Sequence, residues 1–324
     1  MPTVITFGEA LVDLTALERG VSLAEASAFN KAAGGAPANV AVGLSLLGVR
    51  AGFIGKVGDD PFGHFLAETL RGHGVDTAGL LFSREARTGL AFISLQEDGE
   101  RDFSFYRHPS ADIFYRPGEV DPGLLADARI FHFGSLSLSR EPAAGSTWRW
   151  LETAREHGLT ISLDPNLRLD LWPDRETARA DILRAAGQAD WIKLSLEELG
   201  FLAGEELDWQ DPDRVRRAAR KLNPPNSALL VVSLGRSGCL ALTPEFELNV
   251  PGFEVKAVDT TGAGDAFTAG LLAELALDPG ILTDPGLLES ALRTANAAGA
   301  LASTGYGVIP SLPTRQEVES LRSG

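Results

Sequence analysis

The chain has 324 residues, 44% hydrophobic and 23% charged, which is enough to bury a large core and is typical of a globular protein. Its 29 basic and 44 acidic residues give a net charge of −15, which argues against a nucleic-acid surface or an anionic membrane as a partner. The single cysteine, Cys239, excludes an internal disulfide, and no basic and apolar leader precedes the first strand pattern, so we expect a cytoplasmic protein.

The N-terminal segment predicts two features that suit ligand binding. Residues 4–8 form a short apolar strand, and the alternating segment after it carries Asp13 as its odd polar residue. The run Gly34-Gly35-Ala36-Pro37-Ala38-Asn39 predicts a glycine turn that leads into a helix ending at Gly48. Paired glycines permit a close backbone approach, and Asn39 can donate to or accept from a hydroxyl, although the same run also suits a plain helix start.

The next segment predicts a small antiparallel sheet. Residues 51–57 form a strand and residues 62–73 an amphipathic helix. Residues 88–95 form another strand, residues 97–100 supply a turn, and residues 101–107 alternate as the second strand of a hairpin. We expect this hairpin to stand off the main sheet and to act as a lid that excludes water from a reaction.

From Ile130 onward, strands and helices alternate. The predicted strands are 130–133, 160–164, 191–194 and 229–234, and the predicted helices are 141–157, 175–187, 197–203 and 214–222. This order implies a parallel sheet covered on both faces, whose ligands lie beyond the carboxyl ends of the strands. Each polar residue in that zone also suits a cap or turn, but together they predict a site: Asp164, Asn166, Arg168, Ser195, Glu198, Ser233, Gly235, Gly238, Asp259 and Asp265.

The glycine-rich stretch 258–272 predicts the end of a strand, a turn, and a helix that begins near Asp265. Gly262 and Gly264 leave the backbone open, and the N–H groups of the first helical turn suit a phosphate. A carboxylate in the same turn would repel that phosphate. Asp265 therefore suggests a base that takes a proton from an attacking hydroxyl, whereas the alternative is a plain helix cap.

Two motifs resemble the signatures of the ribokinase-like (PfkB-type) carbohydrate kinases, namely residues 34–39 and Asp259-Thr260-Thr261-Gly262-Ala263-Gly264-Asp265-Ala266-Phe267. Three further segments resemble the fructokinases: residues 105–112, 164–173 and 250–258. The resemblance implies a three-layer α/β/α core with a mostly parallel sheet and a small antiparallel β lid. It also implies one domain over residues 1–324, with the lid formed by about 10–30 and 88–112.

The same resemblance implies an ATP-dependent sugar kinase that uses Mg²⁺. Asp265 would be the base, and the N–H groups of Gly262, Ala263 and Gly264 would form the anion hole. The implied sugar contacts are Asp13, Gly34, Gly35, Asn39, Phe105, Arg107 and Arg168. The implied ATP contacts are Lys193, Glu198, Ser233, Gly235, Gly238, Val255, Gly264, Asn296 and Ala300.

Metal sites are implied by the resemblance as well. Glu198 matches the glutamate of the family's N-x-x-E motif and would act on Mg²⁺ through water, although Ser195 replaces the asparagine. A potassium ion beside the anion hole would stiffen the loop that carries its N–H donors. The matching positions are Asp259, Thr261, Ala302, Gly305, Gly307 and Ser311.

The substrate implied is fructose, phosphorylated to fructose 6-phosphate. A 2-keto-3-deoxygluconate kinase is the alternative, because Arg107 and Arg168 could bind its carboxylate, but Phe105 stands where the acid kinases often have tyrosine. A nucleoside kinase and a non-catalytic sugar-binding module are further alternatives. The exposed edges of a lid sheet predict a homodimer that forms through the lid.

Overall fold

Two β-sheets and the helices packed on them make up the computed structural model, which describes residues 1–18, 20–95 and 101–324. The strands are β1 (Val4–Phe7), β2 (Leu11–Ala16), β3 (Phe29–Gly34), β4 (Ala51–Gly58), β5 (Asp76–Ser83), β6 (Leu90–Leu95), β7 (Arg101–Tyr106), β8 (Ile130–Phe133), β9 (Thr160–Leu163), β10 (Trp191–Ser195), β11 (Leu229–Ser233), β12 (Cys239–Leu242) and β13 (Glu247–Val250). The α-helices are α1 (Ala36–Leu46), α2 (Pro61–Gly72), α3 (Ala143–Glu156), α4 (Arg175–Ala186), α5 (Leu196–Ala203), α6 (Pro212–Leu222), α7 (Ala263–Leu277), α8 (Pro285–Ala302), α9 (Val308–Ser311) and α10 (Arg315–Ser323).

The main sheet has nine strands in the order β13-β12-β11-β10-β9-β8-β1-β4-β5, parallel except at the β11-β12-β13 end. Successive side chains of a strand point to opposite faces, so its apolar run feeds two cores. In β11, Leu229 and Val231 enter the core under α1, α2, α7 and α8, whereas Leu230 and Val232 enter the core under α3 to α6. The predicted three-layer core with a mostly parallel sheet is confirmed.

The small sheet has the order β3-β2-β6-β7. Its two outer pairings are antiparallel, whereas β2 and β6 run parallel because the chain leaves for the main sheet between them. The predicted turn at residues 97–100 lies outside the described residues. β3 has no counterpart in the predicted elements, since Phe29-Asn30-Lys31-Ala32-Ala33-Gly34 has no clear β pattern and gains its conformation by pairing with β2.

The glycine-rich stretch differs from its predicted form. Val258 does not end a strand, because β13 stops at Val250 and residues 251–260 carry no helix or strand. Instead, the N–H groups of Val258 and Asp259 both donate to the carbonyl oxygen of Ser303, at 2.8 and 3.1 Å, which holds this segment against the end of α8. Helix α7 begins at Ala263, two residues before the predicted start.

Of the helices in the described part of the chain, none has both the length and the apolar composition that spanning a membrane requires.

Candidate active site

A cavity of about 240 Å³ opens where the carboxyl ends of β1, β9 and β10 meet the first turn of α7 and one face of the small sheet. Parallel sheets place ligand sites at this edge. The residues of the predicted site that line the cavity are Asp13, Gly35, Asn39, Phe105, Asn166, Arg168, Lys193, Ser195, Glu198, Thr261, Gly262, Gly264 and Asp265.

The first turn of α7 forms one wall. Its cap, Gly262, has φ 79°, and a Cβ there would lie 3.0 Å from Cβ of Val308, so only glycine fits this turn. Gly262 and Gly264 line the cavity, whereas the N–H of Ala263 donates to the carbonyl oxygen of Thr260 at 3.3 Å. The first N–H groups of a helix have no partner within it, and with the positive end of the helix dipole they suit an anion.

Asp265 lies in this turn, is 7% exposed, and is held at both carboxylate oxygens. The side-chain amide of Asn39 donates to Oδ2 at 2.8 Å, and that of Asn166 donates to Oδ1 at 3.2 Å. Burial raises the pKa of Asp265 from 3.8 to about 6, against the opposing effects of Asn39 and the nearby cations. Asp265 is therefore mostly ionised at neutral pH and is a stronger base than an exposed carboxylate.

Asp13 faces Asp265 from strand β2. Burial, and then the like charge of Asp265, raise its pKa from 3.8 to about 7, while Arg168 opposes the shift. Gly34, on the paired strand β3, makes room for this carboxylate: a Cβ at Gly34 would lie 2.5 Å from Cγ of Asp13 and 2.7 Å from Oδ1. Gly34 was predicted to contact the sugar itself. It lies outside the cavity lining, and what it provides is the space in which Asp13 sits.

Lys193 brings a cation to the anion-binding turn. Its Nζ lies 3.1 Å from Oδ2 and 3.3 Å from Oδ1 of Asp164, and 3.2 Å from where a Cβ on Gly264 would be. Burial lowers the pKa of Lys193, but Asp164, Glu198 and Asp265 together raise it above its ordinary value. The ammonium thus stays charged beside the helix N-terminus.

The two arginines predicted for the sugar differ in position. Arg168 lines the cavity, as does Phe105. Arg107 is 1% exposed and lies outside the lining. Its guanidinium pairs with Asp112, with Nε at 2.6 Å from Oδ2, and donates to the carbonyl oxygen of Leu136 at 3.4 Å. In this structure Arg107 thus forms a buried ion pair within the chain, and its contact with the sugar stays a prediction.

Three of the predicted ATP residues, Lys193, Glu198 and Gly264, line the cavity, whereas the others lie outside its lining. The hydroxyl of Ser233 donates to the carbonyl oxygen of Leu194 at 3.3 Å. Asn296 is 7% exposed, and its amide donates to the carbonyl oxygens of Val250 and Pro251, both at 3.2 Å, so it holds the end of β13. The remaining members are Gly235 and Gly238, at the turn after β11, and the half-buried Val255 and Ala300.

Glu198 was predicted to act on Mg²⁺ through water. Its carboxylate accepts from the N–H of Leu167 at Oε1 and from the N–H of Ser195 at Oε2, both at 2.8 Å. Burial raises its pKa, against the effect of Lys193. Among the described residues no three His, Cys, Asp or Glu side chains group as a metal cage. Glu198 lines the cavity and would be available to a Mg²⁺ held mainly by phosphate and water.

The residues predicted for a monovalent cation are drawn from two neighbouring segments. Asp259 accepts at Oδ1 from the N–H and the hydroxyl of Thr261, at 3.0 and 2.6 Å. A Cβ on Gly305 would lie 3.1 Å from Cβ of Ser311, so these two residues are packed together. Because the carbonyl of Ser303 binds the 258–259 backbone, the two segments adjoin, and their donor set consists of oxygen atoms, which suits K⁺. The carbonyls predicted from Ala302 and Gly307 belong to the same stretch.

Sequence reasoning missed one lining residue, Glu9, and placed another, Asn166, in the site without a specific role. Glu9 lines the cavity, and burial raises its pKa to about 7, with Arg107 opposing the shift. Asn166 was named only as a polar residue beyond a strand and was given no role. Both residues follow a buried strand within three positions, so their place at the sheet edge was the available signal.

The similarity of the chain to known proteins shows its family. Residues 1–315 match the family described as pfkB family carbohydrate kinase, so the chain belongs to that family and the predicted resemblance is confirmed. It is 51% identical over 320 residues to "Probable fructokinase-7" of Arabidopsis thaliana, an alignment that covers 99% of this chain and 92% of that protein.

Two solved structures are similar over nearly the whole chain. Fructokinase from Xylella fastidiosa with bound ATP has a TM-score of 0.89 and 36% identity, covering 100% of this chain and 99% of the other. A double mutant of fructokinase from Vibrio cholerae O395, in a form with fructose, ADP and potassium ion bound, has a TM-score of 0.83 and 35% identity, covering 99% and 98%.

Proposed function

We propose that this chain is an ATP-dependent fructokinase, which transfers the γ-phosphoryl group of ATP to fructose and forms fructose 6-phosphate. The observation that carries the proposal is the position of Asp265, a buried carboxylate in the first turn of α7, beside an anion-binding helix end and Lys193. A binding module has no use for a carboxylate at an anion site. The names of its relatives and their bound ATP and fructose support the same activity.

In this mechanism Asp265 accepts the proton of the attacking sugar hydroxyl. The N–H groups of Gly262 and Gly264, which line the cavity, and the ammonium of Lys193 stabilise the oxygens of the transferred phosphoryl group. Glu198 would act on a bound Mg²⁺ through water, and the chemistry that this ion would supply is neutralisation of phosphate charge. Residues 259–261 and 302–311 would hold a K⁺, whose charge would stiffen the loop that leads into α7.

The charges around the sugar end favour fructose over a sugar acid. Glu9, Asp13 and Asp265 all line the cavity, and Arg168 is the cation on that side. With Arg107 paired to Asp112, a carboxylate substrate would face the mostly ionised Asp265 and the partly ionised Glu9 and Asp13, with Arg168 as the arginine on that side. An uncharged sugar meets no such repulsion, and its hydroxyls can donate to these carboxylates.

We further propose one catalytic domain over residues 1–324, in which the small sheet, from about 10–30 and 88–112, acts as a lid. Phe105 and the neighbouring Ala91 and Ile93 present an apolar face to the cavity. Such a face supports exclusion of water, so that the phosphoryl group goes to the sugar and not to hydrolysis.

The homodimer through the lid is also proposed. The other face of the small sheet carries an aromatic cluster, with the ring of Phe92 at 5.3 Å from Phe29 and 5.1 Å from Tyr106. Tyr106 is 64% exposed, so this face offers apolar surface that a second copy would cover. A monomeric mass by light scattering at micromolar concentration would refute it. A cytoplasmic location remains a proposal that rests on the single buried Cys239.

The test of the function is an ADP-release assay with fructose, 2-keto-3-deoxygluconate, ribose and adenosine as acceptors. We expect fructose to have the highest kcat/KM, with fructose 6-phosphate as the product. A higher kcat/KM with the sugar acid would contradict the charge argument, and ADP release without any acceptor preference would contradict the proposed function.

A further inference from the structure

The base of the proposed reaction is held by two amides, one on each oxygen. Asn39 lies in α1 and Asn166 lies in the loop after β9, so the two donors reach Asp265 from different parts of the fold. We propose that Asn166 is a positioning residue, which fixes the plane of the Asp265 carboxylate and favours its charged form; this inference rests on the proposed function.

The backbone of Asn166 supports a dedicated role. Its φ of 46° makes it the only non-glycine with positive φ among the described residues. This left-handed conformation is uncommon for non-glycine residues and persists where the surroundings enforce it. Asparagine tolerates it better than most side chains, and here it supplies an amide as well.

The loop is fixed on both sides of Asn166. The carbonyl oxygen of Pro165 accepts from the N–H of Ser135 at 2.9 Å, and the N–H of Leu167 donates to Glu198 at 2.8 Å. Glu198 also accepts from the N–H of Ser195, so one buried carboxylate ties this loop to the end of β10. The side chain of Asn166 is therefore aimed from a rigid support, as an accurate catalytic site requires.

The amide has a distinct effect among the charged groups that face Asp265. These groups are Asp13 from β2, Asp164 and Arg168 from the loop after β9, and Lys193 from β10. The amide of Asn166 adds no charge, but it donates to the carboxylate and so favours the ionised base. Each carboxylate oxygen accepts more than one hydrogen bond, so the sugar hydroxyl can approach while both amides stay in place.

The matched variants are Asn166→Gly and Asn166→Asp. Glycine adopts a positive φ freely, so the first variant removes the amide without straining the loop. Aspartate keeps the size of the side chain but puts a second carboxylate where a donor stood, 3.2 Å from Oδ1 of Asp265. Asn249→Gly, on the exposed side of β13, is the control for the same chemical change elsewhere.

For Asn166→Gly we expect kcat to fall about tenfold or more, the loss of a hydrogen bond to a charged group, while the KM for fructose changes less than about threefold. The acidic limb of the pH profile of kcat/KM should move to higher pH, and further in Asn166→Asp, because each change disfavours the charged base. Asn249→Gly should match the wild type.

Two results would overturn the inference. One is an Asn166→Gly enzyme with wild-type kcat and an unmoved acidic limb; the other is an Asn166→Asp enzyme whose acidic limb stays at the wild-type pH. If Asn166→Gly does not fold, as judged by its melting transition, the acidic limb of the pH profile of Asn166→Asp decides whether the inference holds. A wild-type enzyme that does not phosphorylate fructose would refute the proposed function instead, before any variant is compared.

Discussion

Gly34→Ala tests how the small sheet holds the sugar. The new Cβ would lie 2.5 Å from Cγ of Asp13, whereas ordinary contact begins at 3.4 Å, so the carboxylate must move by about 0.9 Å. Asp13 is a short side chain on a paired strand and cannot absorb this shift at its far end. The hydrogen bonds from Asn39 and Asn166 to Asp265 are not affected by this substitution.

The expected cost follows from that displacement. A hydrogen bond to a charged group contributes about 1.5–3 kcal/mol, and its loss corresponds to roughly 10- to 150-fold in affinity. We therefore expect the KM for fructose to rise by at least about tenfold, with a smaller change in kcat, in a coupled ADP-release assay. The KM for ATP should stay near the wild-type value.

The control for this variant is Gly72→Ala at the end of α2, where a Cβ meets nothing within 4 Å. It should leave the kinetics unchanged, and alanine should favour the helix by roughly 0.5–1 kcal/mol. A Gly34→Ala enzyme with wild-type KM for fructose would refute the argument. So would a loss of stability with no kinetic effect, since the glycine would then serve packing alone.

Three further predictions concern other parts of the chain. Arg107→Ala leaves Asp112 buried without its cation, so the free energy of unfolding in urea should fall by about 3–5 kcal/mol. A higher KM for fructose at unchanged stability would instead show that Arg107 contacts the sugar. The pKa of Asp265 is raised from 3.8 to about 6 in the folded state, so the protonated carboxyl stabilises the fold. This stabilisation is present below pH 4 and is lost as the pH rises through 6. Asp265→Asn removes that loss, so its stability relative to the wild type should be roughly 3 kcal/mol higher at pH 7.5 than at pH 4, and an equal difference at both pH values would contradict the pKa. Tyr106→Glu should convert a dimer to a monomer in light scattering without changing kcat, and a retained dimer would place the interface elsewhere.

The sequence predicted the layered core because its signals are local. Alternating strand and helix patterns, and the apolar runs of the parallel strands, follow from side-chain periodicity within a few residues. The helix after the glycine-rich turn was visible for the same reason, although it begins at Ala263 and not near Asp265. β3 was not, because residues 29–34 owe their conformation to strand β2, which lies well before them in the chain.

The site was predictable in its members but less so in their partners. Asp265, Asp13 and Lys193 do line or adjoin the cavity, as the order of strands indicates. Which amide holds which carboxylate depends on contacts such as Asn39 to Asp265, 226 positions apart. Arg107 is a further case, since its guanidinium is buried in an ion pair with Asp112, and its contact with the sugar stays a prediction.

The central claim is that Asp265 acts as the base of sugar phosphorylation. Its most direct test measures fructose binding by calorimetry and kcat by ADP release in Asp265→Asn at neutral pH. We predict a dissociation constant within about threefold of the wild type and a kcat lower by at least about two orders of magnitude, the scale on which a general base contributes. Near-normal turnover in this variant would contradict the account.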